Sequence, residues 1–189
     1  MRLLLSAVYF CITLASALRV NEPAVVMSRD NQTCGDPSDV VPYYQHYSSA
    51  VTDYYYTADA ALVNTVITSY HYTFQRVAGL VFITQQPSTV PFYRLYLSSG
   101  VDFYTTNTTE RDIAIKQGYA EGDPTDPLTY IYPTEICGAV PFYRIYKSSQ
   151  QATYYTTSES EKLDFIANQG YVDQGIAGYI LPLVPSQCT

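Results

Sequence analysis

Along the chain, apolar and aromatic residues gather into short blocks bounded by turn-forming residues, and the blocks recur three times in one order. VPYYQHYSSA begins at Val41, VPFYRLYLSS at Val90 and VPFYRIYKSS at Val140, so Pro42, Pro91 and Pro141 fall 49 and 50 residues apart. Each is an aromatic run with no interior Gly, led by Pro and followed by Ser-Ser, which predicts a strand and a turn. A second aromatic block follows each one: DYYYT from Asp53, DFYTT from Asp102 and TYYTT from Thr153. Two such strands so close together predict a hairpin. Tyr72, Tyr119 and Tyr171 then lie 30, 28 and 30 residues after their prolines. Three aligned blocks in three copies define an internal repeat.

Helix signals sit between the second block and the closing Tyr. Asn107 with Glu110, and Ser158 with Glu161, fit the capping box, and Gly118 and Gly170 stop the helices. Ile113 and Ala114, like Leu163, Ile166 and Ala167, give each helix one short apolar face. A third strand is read in AGLVFIT from Ala78, LTYIYP from Leu128 and GIAGYILPL from Gly175. On the first strand, Phe92, Arg94 and Tyr96 point one way and Tyr93 and Leu95 the other, so one face is core. A unit of about 50 residues is too small to bury its own apolar face, and neighbouring copies must supply the rest. The expected fold is therefore α+β, mainly β. Three pseudo-symmetric strand-strand-helix-strand repeats, 41–89, 90–139 and 140–189, close into one compact ring-like or barrel-like domain.

The ends of the chain add context. Residues 1–17 place Arg2 before an apolar run and end in Ala15-Ser16-Ala17, the order of a signal peptide. Residues 18–40 then form an N-terminal arm, and the mature protein is expected to be extracellular. In an oxidising compartment Cys34, Cys137 and Cys188 allow one bridge. Cys34 and Cys137 are each followed by Gly and each precede a Val-Pro-aromatic-Tyr strand, which favours that pair, with Cys34–Cys188 as the rival. The formal net charge of −7 repels phosphate backbones and anionic lipid, so no nucleic-acid partner and no membrane insertion are expected. The chain is expected to be a monomer or a weak oligomer.

Candidate chemistry is sparse. His46 occupies the repeat position of Leu95 and Ile145, and His71 that of a helix-ending Gly, so neither has the setting of a catalytic base. Asp53 and Asp102 read as repeat-equivalent turn residues, although a carboxylate pair for glycoside hydrolysis stays a distant alternative. Asp123 and Asp126 in GDPTDP lack the spaced ligands of a calcium loop. Two His and no CxxC argue against zinc, and no metal or cofactor is expected. With 21 Tyr and no Trp, the tyrosines serve either packing or sugar stacking. Arg94 and Arg144 are the stronger binding candidates, with pairing of Arg94 to Asp102 the structural counterpart. Asn31 and Asn107 begin N-glycosylation sequons, and Asn107 doubles as a helix cap.

The pieces PFYRLY, DFYTT, GYAEG and GYVDQGIAGYIL resemble a repeat family of secreted fungal and bacterial proteins, with units P-L-Y-R-L-Y, D-H-F-Y-T-T, G-Y and E-G, mostly described as a domain of unknown function. Bacterial members often carry the unit beside exported hydrolases, which implies a binding role toward glycans or cell-wall material. Here the Asp-His pair of that family is absent from all three copies, and its first-strand Arg is replaced by Gln45 in copy one. The expectation is a non-catalytic module with weak carbohydrate binding. It centres on Arg94, Asp102 and Tyr104 in copy two, with Arg144 and Tyr155 their equivalents in copy three and none in copy one. A structural or host-facing protein with no small ligand is the alternative.

Overall fold

The computed structural model describes residues 33–122 and 128–183. The signal peptide expected at residues 1–17, Asn31, Asp123, Asp126 and Cys188 lie outside them. A short 3-10 turn, Pro37–Asp39, leads into copy one, which comprises β1 (Val40–Ser48), β2 (Asp53–Thr57), α1 (Ala60–Thr68) and β3 (Thr73–Phe82). Copy two comprises β4 (Val90–Leu97), β5 (Val101–Thr105), α2 (Thr108–Lys116) and a third strand in two pieces, β6 (Ala120–Glu121) and β7 (Thr129–Ile131). Copy three comprises β8 (Val140–Lys147), β9 (Ala152–Thr156), α3 (Glu159–Gln169) and β10 (Val172–Ile180).

The helix starts follow the sequence signals with one change of partner. Asn107 Oδ1 accepts from the Thr109 and Glu110 amides, and Ser158 Oγ from the Glu161 amide. The box carboxylates do not turn back to the cap amide. That amide is instead satisfied by a threonine hydroxyl, Thr105 for Asn107 and Thr156 for Ser158, and each threonine in turn donates to the helix glutamate. Glu110 and Glu161 are thereby left free to accept from elsewhere. Copy one is capped by Asp59, which accepts from the Ala61 amide. After the helices, Gly118 and Gly170 adopt positive φ, and His71 adopts φ 60° at the same place, a backbone that His tolerates better than most side chains. The substitution of His for Gly has kept the turn.

Every first strand is the centre of an antiparallel trio, flanked by its own second and third strands. Copies one and two join through β3 and β7 into a seven-stranded sheet of order β2-β1-β3-β7-β4-β5, with β6 also on β4, while β10-β8-β9 stand as a separate sheet. Reciprocal backbone bonds between Leu80 and Leu181, and between Tyr132 and Tyr179, stitch the separate sheet to the larger one. No sheet closes into a barrel, contrary to the barrel-like expectation. The reason lies at the edges β2, β5 and β9, which meet through side chains and not through strand pairing.

At that meeting point six aromatic rings pack in two layers. Tyr43, Phe92 and Phe142 from the first strands have centroids 6.1 to 6.4 Å apart. Tyr56, Tyr104 and Tyr155 from the second strands have centroids 5.4 to 5.7 Å apart, edge to face in every pair. Such pairs contribute about 0.5–1.5 kcal/mol each beyond the area they bury. The hydroxyls of the second layer form a cycle. Tyr56 Oη donates to the Tyr155 carbonyl and accepts from the Tyr155 amide, Tyr155 Oη does the same on Tyr104, and Tyr104 Oη on Tyr56. Unpaired edge groups that would otherwise be buried without partners are satisfied this way. Gly178 lies beside this core, where an added Cβ would overlap the tip of the Ile131 side chain and oblige it to shift.

The first strands bury residues on both faces, with the helix of the same copy covering the second face in copy three. Phe92 and Phe142 face the six-ring core, while Leu95 and Ile145 are fully buried on the opposite side, where Ile145 packs with Tyr154, Phe165 and Tyr171. His46 takes that buried position in copy one, between Tyr55 and Phe74, with burial holding its pKa below the usual value. The disulfide joins Cys34 to Cys137, the pair favoured by their shared context. It closes a loop of 103 residues in separation, worth about 4–5 kcal/mol in the chain-entropy account. The Gly35 amide, donating to Tyr132 Oη, secures the same corner.

Candidate functional site

Where one copy meets the next, the helix side of the first faces the opening strand of the second, and the three junctions differ. At the first, between copies one and two, a cleft of about 480 Å³ opens between α1 and β4. Leu62 and Val66 of α1 form one wall. Tyr55, Tyr72 and Tyr96 supply rings, and Arg94 lies among them, its guanidinium carbon 4.6 Å from the centroid of Tyr55 and 4.9 Å from that of Tyr96. Ser98 and Ser99 line the cleft as exposed polar residues.

Beneath the cleft runs a buried polar chain. Tyr72 Oη donates to Asp53 Oδ2 at 2.9 Å, the Asp102 amide donates to Asp53 Oδ1 at 2.9 Å, and Arg94 holds Asp102 through Nε and Nη2 at 3.0 to 3.2 Å. Asp53 and Asp102 are 1% and 3% exposed, and their side chains bond to each other. They are not solvated turn residues, which corrects the sequence reading. Nor are they equivalent. Strand register pairs Arg94 with Tyr104, Arg144 with Tyr155 and Gln45 with Tyr56, so Asp102 corresponds to Tyr54 and Thr153, while Asp53 corresponds to Val101 and Ala152.

Burial raises the pKa of both carboxyls, most for Asp102, where the neighbouring Asp53 charge adds to it and Arg94 opposes it. Two carboxyls in contact cannot both ionise cheaply, which works in the same direction as burial.

The second junction, between copies two and three, has the same parts around a cleft of about 330 Å³, including Tyr119, Arg144 and Tyr146. Glu110 stands where α1 has Leu62, and Arg144 reaches across the junction to it with two bonds of 2.8 and 2.9 Å. Burial alone would raise the Glu110 pKa; the hydrogen bonds from Arg144 and Thr105 outweigh it and hold it low. At the third junction, between copies three and one, an aromatic stack of Tyr47, Tyr54, Tyr154, Phe165 and Tyr171 fills the place of a cleft. There Gln45 replaces the first-strand Arg, and Arg76 of β3 takes over, bonding Gln45, Tyr154 and Glu161.

Among the expected site residues, Arg94 and Asp102 are therefore brought together at the first junction, and Arg144 lies at the second. Tyr104 and Tyr155, both 1% exposed, are the floor of the fold, with their hydroxyls engaged in the axial cycle. Asn107 caps α2 through Oδ1 and is exposed. Asp53, Tyr55, Leu62 and Tyr72 were absent from the sequence reading of the site. The sequence signal that could have led to α1 is Leu62 itself, three residues after the cap Asp59, where the other two helices carry Glu110 and Glu161. Among the described residues no cluster of three or more His, Cys, Asp or Glu could hold a metal ion, and no helix is long and apolar enough to cross a membrane.

All three helix-to-strand junctions lie within the stretch that one family model matches. The chain belongs to the family described as Domain of unknown function (DUF5648), which matches residues 42–181. No curated protein and no solved structure matches it.

Proposed function

We propose that this chain is an exported, non-catalytic binding module for carbohydrate or cell-surface material, and that its binding surface is the cleft between α1 and β4. The observation that carries the reading is the cleft itself, which combines tyrosine rings, an apolar wall and a fixed guanidinium. Sugars are bound by such combinations, since ring faces meet C–H surfaces and N–H and O–H groups meet hydroxyls. Export follows from the leader expected at residues 1–17. The carboxyl pair does not favour the hydrolase alternative, because two acids that flank a glycosidic bond stand roughly 5–9.5 Å apart, whereas Asp53 and Asp102 are in contact and buried.

A glycan array on the mature protein tests the reading, run beside Tyr96→Ala and an Arg94→Ala, Arg144→Ala double variant. Binding that is lost in Tyr96→Ala and in the double variant, with the fold retained by circular dichroism, is the expected result. A blank array, or signals indifferent to both variants, overturns it in favour of a structural or host-facing protein.

A further inference from the structure

We infer that Asn107 carries an N-linked glycan in the mature chain while it continues to cap α2, an inference that rests on the export half of the reading above. Asn107-Thr108-Thr109 has the acceptor spacing, with a middle residue other than Pro, and all three residues are exposed. Asn107 Oδ1 accepts from the Thr109 and Glu110 amides at 2.9 and 3.2 Å. Two N–H donors aimed at one atom fix it as the oxygen of the carboxamide. The nitrogen, Nδ2, is therefore turned away from those amides, and it has no partner among the described residues. Capping accounts for Asn107 and leaves Thr109 Oγ1, the hydroxyl that an acceptor sequence needs two residues on, equally without a partner there.

Cap and acceptor thus use different atoms of one side chain. Transfer forms a bond between Nδ2 and C1 of the first sugar of an oligosaccharide carried on a lipid diphosphate. The C1–oxygen bond to the diphosphate breaks, the lipid diphosphate leaves, and a base of the transferase takes one of the two Nδ2 protons. The product is still an amide, so Oδ1 accepts from α2 as before. Thr106 Oγ1 donates to the Ala177 carbonyl at 3.0 Å, which pins the entry to Asn107 against β10. Asn107 lines neither the α1–β4 cleft nor the cleft of the second junction, so a bulky, hydrated substituent there stands clear of both. The corresponding caps are Asp59 in copy one and Ser158 in copy three, neither of which has a carboxamide nitrogen. Among the three caps the modification is therefore confined to copy two, and the repeat itself shows that the helix start does not demand Asn.

The experiment expresses the full chain in a yeast host and treats protein from the medium and from the cells with peptide-N-glycosidase in heavy-oxygen water, which turns each glycosylated Asn into a labelled Asp. Cleavage after Arg94 and Arg111 separates Asn107 from Asn31, the other sequon. Label at Asn107 in wild type from the medium, and none there in Thr109→Ala, is the expected result. Glycosylated wild type and Thr109→Ala should unfold at nearly the same temperature, since both keep the Asn cap, whereas Asn107→Ala unfolds earlier and Asn107→Asp, which borrows the cap of copy one, does not. Secreted, folded protein with Asn107 unlabelled overturns the inference while the export reading stands. Chain found only in the cells and unlabelled overturns the export reading and this inference with it. Label at Asn107 together with an Asn107→Ala variant as stable as Thr109→Ala overturns the sharing of one side chain between cap and sugar.

Discussion

The first and second junctions are built from the same elements and put their ion pairs in different places. At the second, Arg144 spans the gap to Glu110 on the facing helix. At the first, α1 offers Leu62 at that position, and Arg94 turns back to Asp102 of its own hairpin, where copy three has Thr153. A bridge across a junction is a fastener, and a bridge folded under one wall leaves the gap open with an apolar opposite side. The residue at one helix position, Leu62 or Glu110, thus accompanies the difference between the larger cleft and the smaller, bridged one.

Removing the acid beneath the first junction should give the largest effect. Asp102→Ala leaves Arg94 and Asp53 without their shared partner inside the fold, and removal of one member of a buried pair costs about 3–5 kcal/mol. Asp102→Asn, which keeps the shape and one acceptor, should cost much less, and urea denaturation of both variants measures the difference. Equal losses would mean that packing, not charge balance, holds the pair.

Next comes the swap that should turn the first junction into the second. Leu62→Glu places a carboxylate where α2 carries Glu110, draws Arg94 across the cleft and should reduce ligand binding about tenfold or more, with stability altered by about 1 kcal/mol or less. Titration by calorimetry against whichever sugar the array returns reads the effect. Unchanged affinity would show that the helix position does not control the cleft.

The smallest effect is a difference in pH response. Asp53 and Asp102 hold their proton above the ordinary value of 3.8, so their contribution is complete below that value and drains away as pH rises through the pair's raised range. Glu110 lies below its ordinary 4.5, so its contribution is complete above 4.5 and is lost as pH falls. His46, lowered by burial, adds to the acid loss, because the unfolded chain takes up a proton more readily there. Denaturation midpoints between about pH 3 and 8 should show Asp102→Asn flattening the rising-pH limb and Glu110→Gln flattening part of the acid limb. The same limb flattened by both variants would erase the distinction between the junctions.

Much of this was legible in the chain. The strand blocks, the caps at Asn107 and Ser158, the stops at Gly118 and Gly170 and the Cys34–Cys137 pair all rest on local chemistry that the fold does not override. The offset in copy one was not. In a run such as Asp53-Tyr54-Tyr55-Tyr56, sliding the alignment by one still sets Tyr against Tyr, and the choice is made by which hydroxyl reaches the axial cycle, a contact between copies. Asp53 and Asp102 therefore looked equivalent when they are successive members of one buried cluster. Gln45 likewise looked like a lost arginine. Its replacement, Arg76, comes from a strand 31 residues further on and becomes visible only when β1 and β3 lie side by side. Alternation along β4 and β8 shows that one face is core, and the short apolar face of each helix is what covers the other, while the central rings cover the first.

The cycle of tyrosine hydroxyls also restricts how such a chain can change in length. In an open stack of repeats, a duplicated or deleted unit leaves the neighbours' contacts as they were. Here each of Tyr56, Tyr104 and Tyr155 completes the backbone of one other copy, so losing a unit strands one hydroxyl and one strand edge, and adding a unit leaves no place at the axis for its ring. Gene-level gain or loss of a single copy would meet that barrier at once, whereas substitutions on the outer walls would not. The number three is thus held by the interior, and the junction surfaces are left free to diverge.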